Sequence, residues 1–178
     1  VHIEHGAEVR GDNRISAKRF IQALPEQFTI SREPKGSCCI RARLDLNEAH
    51  LWLDLAGEPL HRRGYRLAGG RAPLRETLAA AMLWASGWGK AERPPALLDP
   101  FCGSGTLVIE AALMAAGRAA GAQRQHYGFQ HWRGCRRQLW LDAQKEAGES
   151  ANRPVPALSL KGFDADGKTL PLALQNAE

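Results

Sequence analysis

The residues best suited to chemistry in this chain are a carboxylate and two glycines that follow a short apolar run. The run predicts a buried strand, which ends at Asp99 because Pro100 lacks the N–H that a central strand donates. Gly103 and Gly105 permit positive φ and let the backbone approach a ligand without an intervening Cβ. Ligands of open α/β sheets bind outside the carboxyl ends of the strands, so Asp99 and this turn predict a binding site.

The residues around the turn narrow the choice of ligand. Ser104 or Thr106 is expected to cap a helix that is apolar almost all round and therefore buried. The sequence contains neither G-x-x-x-x-G-K-[ST] nor G-x-G-x-x-G, so the turn is not a phosphate cradle. A carboxylate at the strand end suits a cationic ligand, and S-adenosylmethionine (SAM) carries an ammonium and a sulfonium. The stretch therefore predicts a SAM site and methyl transfer, whereas a lone glycine turn would indicate only an ordinary strand-to-helix connection.

A second predicted strand, residues 157–163, also ends in acidic residues. Asp164 would stand at its tip beside the glycine turn, where a carboxylate can accept hydrogen bonds from ribose hydroxyls. Asp166 is expected to cap the next helix, with ligand contact as the lesser alternative. Without the first motif, the two acids would indicate only a helix cap.

Composition sets outer limits on the function. The 178 residues carry a formal net charge of +5, and 7 of the 24 basic residues fall within residues 62–93. This charge is compatible both with binding of an anionic partner and with a basic face that is only solvated. The four cysteines match no zinc-site spacing, which predicts free thiols in a reducing cytosol. The sequence contains no membrane-spanning run and no signal peptide, and its start without Met suggests a piece of a longer protein.

Periodicity gives the elements that must position these residues. Alternation over residues 38–44 and 50–55 predicts a β-hairpin with one buried face. The basic connector that follows, Leu60 to Arg66, suits phosphate contacts and base stacking, although a solvated linker anchored by its tyrosine explains it equally well. Three further helices are predicted, and they cover Ser16 to about Leu24, Pro73 to about Trp84 or Ser86, and Cys135 to about Ala147.

The order of these motifs resembles one known family. The chain is similar to the THUMP-containing, SAM-dependent RNA guanine-N2 methyltransferases, and among them to the RlmL/RlmKL family of bacterial large-subunit ribosomal RNA enzymes. The resemblance covers essentially the whole chain. It is carried by Leu60–Arg66, Ala72–Ala79, Ser86–Trp88, Leu97–Ala112, Gly128-Phe129 with Trp132, and Gly162–Asp166.

The resemblance implies an α/β fold with two parts. Residues 1–60 would form the α+β C-terminal part of a THUMP RNA-binding domain, and residues 61–72 a basic connector. Residues 73–178 would begin a class I (Rossmann-like) SAM methyltransferase sheet. The implied cofactor is SAM, the implied partner is ribosomal RNA, and the implied location is the cytoplasm.

The resemblance also implies roles for single residues, with none assigned as catalytic and none as a metal ligand. The residues implied for the methionine end of SAM and its turn are Asp99, Pro100, Gly103, Ser104, Gly105 and Thr106. Asp164 would hold the ribose, with Ala165 and Asp166 near the adenine. Ala72 and Pro73 would cover the cofactor from the other side. The residues implied for RNA contact are Arg63, Tyr65 and Arg66.

One feature of the family is absent from this sequence. Family members carry an Asn-Pro-Pro-Tyr tetrapeptide that binds the exocyclic amine and stacks on the flipped base, and these 178 residues contain none. We therefore expect guanine-N2 methylation of 23S ribosomal RNA from a longer enzyme and no activity from this chain alone. Two alternatives remain open: a non-catalytic THUMP-like RNA-binding fragment, and a DNA adenine-N6 methyltransferase, which the hairpin and basic connector argue against.

Overall fold

The computed structural model divides the chain into two compact units. The first unit is Val1–Glu58 with His126–Cys135, and the second unit is Pro59–Gln125 with Arg136–Glu178. Within the described part of the chain, no helix is long and apolar enough to cross a membrane. The described residues are 2–5, 19, 22, 39–44, 49–67, 69–70, 72–124, 126–132, 134–151 and 157–178.

The first unit contains a three-stranded sheet in the order β1-β2-β3. Strand β1 (His2–His5) pairs in parallel with β2 (Cys39–Leu44), which pairs antiparallel with β3 (Ala49–Asp54). The predicted hairpin is therefore confirmed. After β3 the Asp54 carboxylate accepts hydrogen bonds from the next turn, from the N–H groups of Ala56 at 3.0 Å and Gly57 at 3.1 Å. A short 3-10 helix, Gly128–His131, joins this unit through the bond from the Phe129 N–H to the Leu55 carbonyl at 2.9 Å.

The predicted buried face of the hairpin is wrong for β3. Leu51 and Leu53 lie on one face of the strand and Trp52 on the other, and all three are exposed. A sheet face is buried only when a second layer packs on it, and the described residues of this unit supply no such layer over β3. The predicted helix from Ser16 to Leu24 falls almost wholly outside the described residues, of which Arg19 and Gln22 are helical and exposed.

The described residues of the second unit form a parallel strand pair and four α-helices. Strand β4 (Leu97–Asp99) pairs with β5 (Leu160–Gly162), so that Asp99 lies opposite Gly162 at the carboxyl ends of both strands. The first helix, α1, is Glu76–Ala85, and a 3-10 turn, Trp88–Lys90, follows it. The other helices are α2 (Thr106–Ala115), α3 (Arg137–Ala151) and α4 (Leu170–Ala177).

The core of the second unit lies between α1, α2 and one face of the strand pair. Leu83, Trp88 and Ala111 are buried there, and Leu97 and Leu160 pack against them. The Trp88 indole donates to the Pro95 carbonyl at 2.8 Å, which satisfies its buried polar end. The expectation that β4 is wholly buried is wrong, because Leu98 points to the other face and is 62% exposed.

Several predicted boundaries shift. Helix α1 begins at Glu76 and not at Pro73, because the chain is still extended at Arg75, with φ −71° and ψ 138°. Helix α3 continues four residues past the predicted end at Ala147, so Gly148 lies inside the helix and does not end it. Strand β5 is shorter than predicted because it extends only as far as its pairing with β4.

Candidate functional site

The candidate site begins where β4 ends. The Asp99 Oδ1 atom accepts a hydrogen bond from the Phe101 N–H at 3.1 Å, which turns the chain sharply after Pro100. The turn closes when the Gly105 N–H donates to the Cys102 carbonyl at 2.8 Å. Gly103 has φ +52°, and a Cβ built there would meet no atom within 4 Å, so its open side is free for a ligand.

The two predicted helix caps are wrong. The N-cap of α2 is Gly105, with φ +80° and no side-chain cap bond. Thr106 is already inside the helix, and its hydroxyl accepts a hydrogen bond from the Arg66 Nη2 atom at 2.7 Å. Ser104 is buried, with 6% of its surface exposed, and its carbonyl accepts a bond from the Asn176 side chain. Both residues therefore stabilise the turn through partners that are distant in sequence.

The ends of β4 and β5 are tied together at this turn. The Phe163 N–H donates to the Asp99 carbonyl at 2.8 Å, and the Cys102 N–H donates to the Phe163 carbonyl at 2.7 Å. Gly162 makes this close approach possible, because a Cβ there would lie 2.9 Å from the Cys102 Cβ. Burial, with the charges of Asp99 and Asp164, raises the pKa of the Cys102 thiol, which favours its protonated form.

Asp164 joins the second strand to the glycine turn. Its Oδ2 atom accepts a hydrogen bond from the Gly103 N–H at 2.8 Å, and its Oδ1 atom accepts one from the Asp166 N–H at 2.9 Å. These bonds, first that from Asp166 and then that from Gly103, lower the pKa of Asp164 and keep it ionised. Each carboxylate oxygen has a second lone pair, so Asp164 retains acceptor capacity for a ligand hydroxyl.

Asp166 does not cap the following helix as predicted. The N-cap of α4 is Thr169, without a side-chain cap bond. The Asp166 carboxylate instead accepts a hydrogen bond from the Lys168 N–H at 2.9 Å, two residues along the chain. Such an Asx turn ends before the helix begins, which is why a local pattern mistakes it for a cap. Ala165 precedes this turn, between Asp164 and Asp166, and is exposed.

A cavity of about 270 Å³ opens over the glycine turn. Six of the eleven predicted cofactor residues line it: Ala72, Pro73, Asp99, Gly103, Ser104 and Thr106. The other five, which do not line it, are Pro100, Gly105, Asp164, Ala165 and Asp166. The structure therefore brings the strand end, the turn and the Ala72–Leu74 segment to one cavity.

The cavity fits the methionine end of SAM. A half-buried carboxylate, Asp99, lines the cavity and would suit a ligand that carries positive charge, and Gly103 presents open backbone in the same cavity. Phe101, which sequence reasoning missed, is 84% exposed at the rim and offers an aromatic face to a cation. A larger cavity of about 530 Å³ lies against another side of α2, near Ile109 and Leu113. Neither Asp99 nor Asp164, the acids at the strand ends, lines that cavity.

Arg63 and Tyr65, predicted to contact RNA, bind a buried carboxylate of α2. Arg63 Nη2 lies 3.2 Å from Glu110 Oε2, and the Tyr65 hydroxyl donates to Glu110 Oε1 at 3.1 Å. Burial raises the pKa of Glu110, with Arg63 and Tyr65 opposing that rise. Burial and the neighbouring carboxylate raise the pKa of Tyr65 far above its usual range, so the hydroxyl stays a donor. This placement favours a structural role for both residues.

Arg66 connects three elements. Its Nε atom lies 3.1 Å from Glu76 Oε1 at the start of α1, and its Nη2 atom donates to the Leu74 carbonyl and the Thr106 hydroxyl, both at 2.7 Å. Sequence reasoning missed Glu76 and Glu110. A signal for Glu110 was present, because a lone acid in an apolar helix needs a buried partner.

Asn176 is a further residue that sequence reasoning missed. It is buried in α4, with 4% of its surface exposed. Its Nδ2 atom donates to the Ser104 carbonyl at 3.2 Å, and its Oδ1 atom accepts from the Leu67 N–H at 2.8 Å. A single amide therefore joins α4, the glycine turn and the connector. The local sequence around Asn176 contains no pattern that predicts this role.

A strand that ends in an acid, a glycine turn, a buried helix and a parallel strand that ends in a second acid define a class I, α/β-fold SAM-type methyltransferase. Solved structures support this class. The chain is 35% identical to a predicted N6-adenine-specific DNA methylase from Listeria monocytogenes, with a TM-score of 0.69 over 93% of this chain and 40% of that one. It is 30% identical to a protein crystallised with S-adenosylhomocysteine (SAH), with a TM-score of 0.70 over 90% and 40% of the two chains.

The family model described as the RMKL-like methyltransferase domain matches residues 63–178, and the chain belongs to this family. It is 89% identical over 178 residues to ribosomal RNA large subunit methyltransferase K/L of Alcanivorax borkumensis, covering 100% of this chain and 25% of that protein. It is 45% identical over 171 residues to the protein of that name from Methylococcus capsulatus, covering 91% and 23%. The chain therefore spans about a quarter of the length of these curated relatives.

These comparisons confirm two of the expectations from sequence. The predicted RlmL/RlmKL-type family is confirmed by the family model and the curated relatives. SAM as the cofactor is confirmed by membership of a methyltransferase-domain family together with the similar structure that binds SAH. The THUMP assignment of residues 1–60 and the roles of single residues stay predictions.

Proposed function

We propose that this chain provides the SAM-binding part of an enzyme that methylates guanine N2 in 23S ribosomal RNA. The observation that carries the proposal is the cavity over the glycine turn, where Asp99, Gly103 and Pro73 meet. The names of the curated relatives support large-subunit ribosomal RNA as the substrate. A ribosomal RNA substrate also implies a cytoplasmic protein.

We assign the cofactor contacts from the placement of each group. Asp99 would pair with the positive charge of the methionine moiety, and the open side of Gly103 would allow its close approach. Asp164 would accept hydrogen bonds from the ribose with the lone pairs that its two backbone bonds leave free. Ala72 and Pro73 would cover the cofactor from the opposite wall.

When bound, SAM would supply an electrophilic methyl group: a bond from guanine N2 to that carbon would form as the carbon–sulfur bond breaks, and the amine proton would pass to solvent. The residues of this chain contribute binding and orientation, which can supply much of the acceleration of such a transfer. A base inside a helix must be flipped from its stack to reach the methyl group. No residue of the chain is assigned a proton-transfer role.

We further propose that the chain alone binds SAM without transferring its methyl group. Its sequence lacks the Asn-Pro-Pro-Tyr tetrapeptide with which members of the resembled family hold the base.

The first unit, with the three-stranded sheet that contains its hairpin, would contribute the THUMP-like RNA-binding part.

The proposal is tested by methylation with the natural protein that contains this chain. The protein is incubated with labelled SAM and unmodified 23S ribosomal RNA, and the digested nucleosides are separated by mass spectrometry. We expect the unaltered protein to form N2-methylguanosine and the Asp99→Ala variant to form none. Label in another nucleoside, or none under conditions where SAM binds, contradicts guanine-N2 methylation.

The same experiment separates the two alternatives. The name of the Listeria relative favours testing DNA, and N6-methyladenine in DNA without methylated RNA would replace our proposal with that activity. A non-catalytic binding fragment would instead shift ribosomal RNA in a gel equally well with and without SAM, and the natural protein would form no methylated product.

A further inference from the structure

A third cavity, of about 420 Å³, lies beside the connector of the second unit and is strongly basic. We name it the arginine cleft; its charged and polar lining is Arg62, Arg63, Arg66, Arg75, His61 and Glu76. Among the described residues, four guanidinium groups therefore share one concave surface with a single carboxylate. Such an excess of one charge in a concavity concentrates the field and attracts an anion.

Two of the four arginines are engaged by protein carboxylates. Arg66 lies 3.1 Å from Glu76, which is the only acid that lines the cleft within the described part of the chain, and the pair is neutral. Arg63 binds Glu110, yet its Nε atom is buried and has no hydrogen-bond partner among the described residues. An incoming anion cannot reach this buried atom, so Arg63 belongs to the wall of the cleft and is not one of its free charges.

The other two arginines carry the free charge of the cleft. Arg62 and Arg75 are exposed, and no hydrogen bond or ion pair of either side chain occurs within the described part of the chain. Arg75 is also the N-cap residue of α1, so the positive end of that helix lies at the cleft. Both guanidinium groups are therefore available to an incoming anion.

The arginine cleft adjoins the cofactor cavity. Pro73 lines both cavities, and the chain segment Ala72–Leu74 forms the wall between them. An anion in the cleft would therefore be held close to the cavity where the methyl donor is expected.

We propose that the arginine cleft binds backbone phosphates of the RNA substrate beside the nucleotide to be methylated. The inference rests on the proposed function, because it takes the substrate to be RNA. Guanidinium groups match phosphate oxygens with paired donors, and phosphate contacts fix the register of a nucleic acid without reading its sequence. Arg62 and Arg75 contact the phosphates directly, while Arg63 and Arg66 hold the walls of the cleft.

The test compares two double variants of this chain. Arg62→Ala/Arg75→Ala removes the free charges of the cleft. Arg136→Ala/Arg137→Ala removes the same charge from two exposed arginines of the same unit that do not line it. Binding of a labelled 23S ribosomal RNA fragment is measured by fluorescence anisotropy over a series of potassium chloride concentrations, and SAM binding by calorimetry checks that the site remains folded.

We expect the cleft variant to lose about tenfold in RNA affinity. Each lost phosphate contact lowers the magnitude of the slope of log K against log salt by about 0.7 to 0.9. The two substitutions together should therefore lower it by about 1.4 to 1.8. The control variant should keep a slope close to that of the unaltered chain, and both variants should bind SAM normally. Arg62→Lys/Arg75→Lys should retain most of the slope while losing affinity, since lysine keeps the charge without the paired donors.

Equal losses in the cleft and control variants would overturn the inference, because they would show only the effect of net charge. A chain that binds RNA with no change of slope in the cleft variant, or that binds no RNA at all, would also overturn it. The proposed function is judged separately, by the methylated nucleoside that the natural protein forms. A cleft without RNA contacts and an enzyme without the proposed product are therefore distinguishable failures.

Discussion

Replacing Asn176 by alanine tests whether a distant amide holds the cofactor turn in place. The variant removes the donor to the Ser104 carbonyl and the acceptor for the Leu67 N–H, which the native side chain bonds at 3.2 Å and 2.8 Å. Both lost partners are backbone groups, so the effect acts on the course of the main chain. The turn that carries Ser104 lines the cofactor cavity, which links this loss to ligand binding.

The magnitude follows from the exposure of the two groups left behind. Ser104 is 6% exposed, so its carbonyl cannot recover a partner from water, and a buried unpaired group costs about 1–3 kcal/mol. Leu67 is 71% exposed, so its N–H can be hydrated, and the loss there is about 0.5–1.5 kcal/mol. Together we expect the free energy of unfolding to fall by about 1.5–4.5 kcal/mol.

Urea denaturation followed by tryptophan fluorescence measures this change, and calorimetry measures the affinity for SAM. Gln175→Ala is the matched control, because it removes a neighbouring amide of the same helix that is exposed. We expect the control to change stability by less than about 0.5 kcal/mol and to leave SAM binding unchanged.

Two results would refute this reasoning. If Asn176→Ala destabilised the chain no more than Gln175→Ala, the two hydrogen bonds would not be significant for the fold. If stability fell as expected but SAM affinity in the folded protein stayed the same, Asn176 would support the fold without positioning the turn.

Three further predictions concern the site and its supports. Asp99→Ala should abolish SAM binding in calorimetry, whereas Asp142→Ala, which removes an exposed acid of α3, should leave it intact; equal affinities would reject the site. Because the folded pKa of Glu110 is raised above 4.5, stability should fall as pH rises from 4.5 through that folded value, and Glu110→Gln should flatten the pH profile of urea midpoints. Gly162→Ala places a Cβ 2.9 Å from a side-chain carbon of the turn and should cost about 1–3 kcal/mol in thermal unfolding, whereas Gly148→Ala has open space in α3 and should stabilise; a stable Gly162 variant would contradict the close packing.

Local sequence signals predicted the elements that depend on near neighbours. The proline and glycines after Asp99 specify a strand end and a turn by their own backbone restrictions, and the alternation before Asp54 specifies a hairpin. The burial of those strands could not be predicted in the same way. Whether Leu98 or Trp52 is covered depends on which other layer packs on the sheet, and residue alternation carries no information about that layer.

The supporting contacts of the site were beyond local reasoning because their partners are far apart in sequence. Asn176 bonds Ser104 across 72 residues, and Tyr65 bonds Glu110 across 45. A basic connector with one aromatic residue fits RNA contact and a buried polar network equally well when only its composition is known. The carboxylate partner decides between them, and only the fold reveals that partner.

The contacts of Arg66 also explain how one connector can form part of two cavities. Arg66 lines the arginine cleft, while the two groups that accept its Nη2 hydrogen bonds, the Leu74 carbonyl and the Thr106 hydroxyl, belong to residues that line the cofactor cavity. Glu76 neutralises Arg66 within the protein, so this guanidinium can hold the wall and does not compete for a phosphate. A displacement of the wall toward either cavity would break a charged hydrogen bond of Arg66, which costs more than a neutral one. The contacts of Arg66 therefore hold the arginine cleft, with the free charges of Arg62 and Arg75, at a fixed distance from the cofactor cavity.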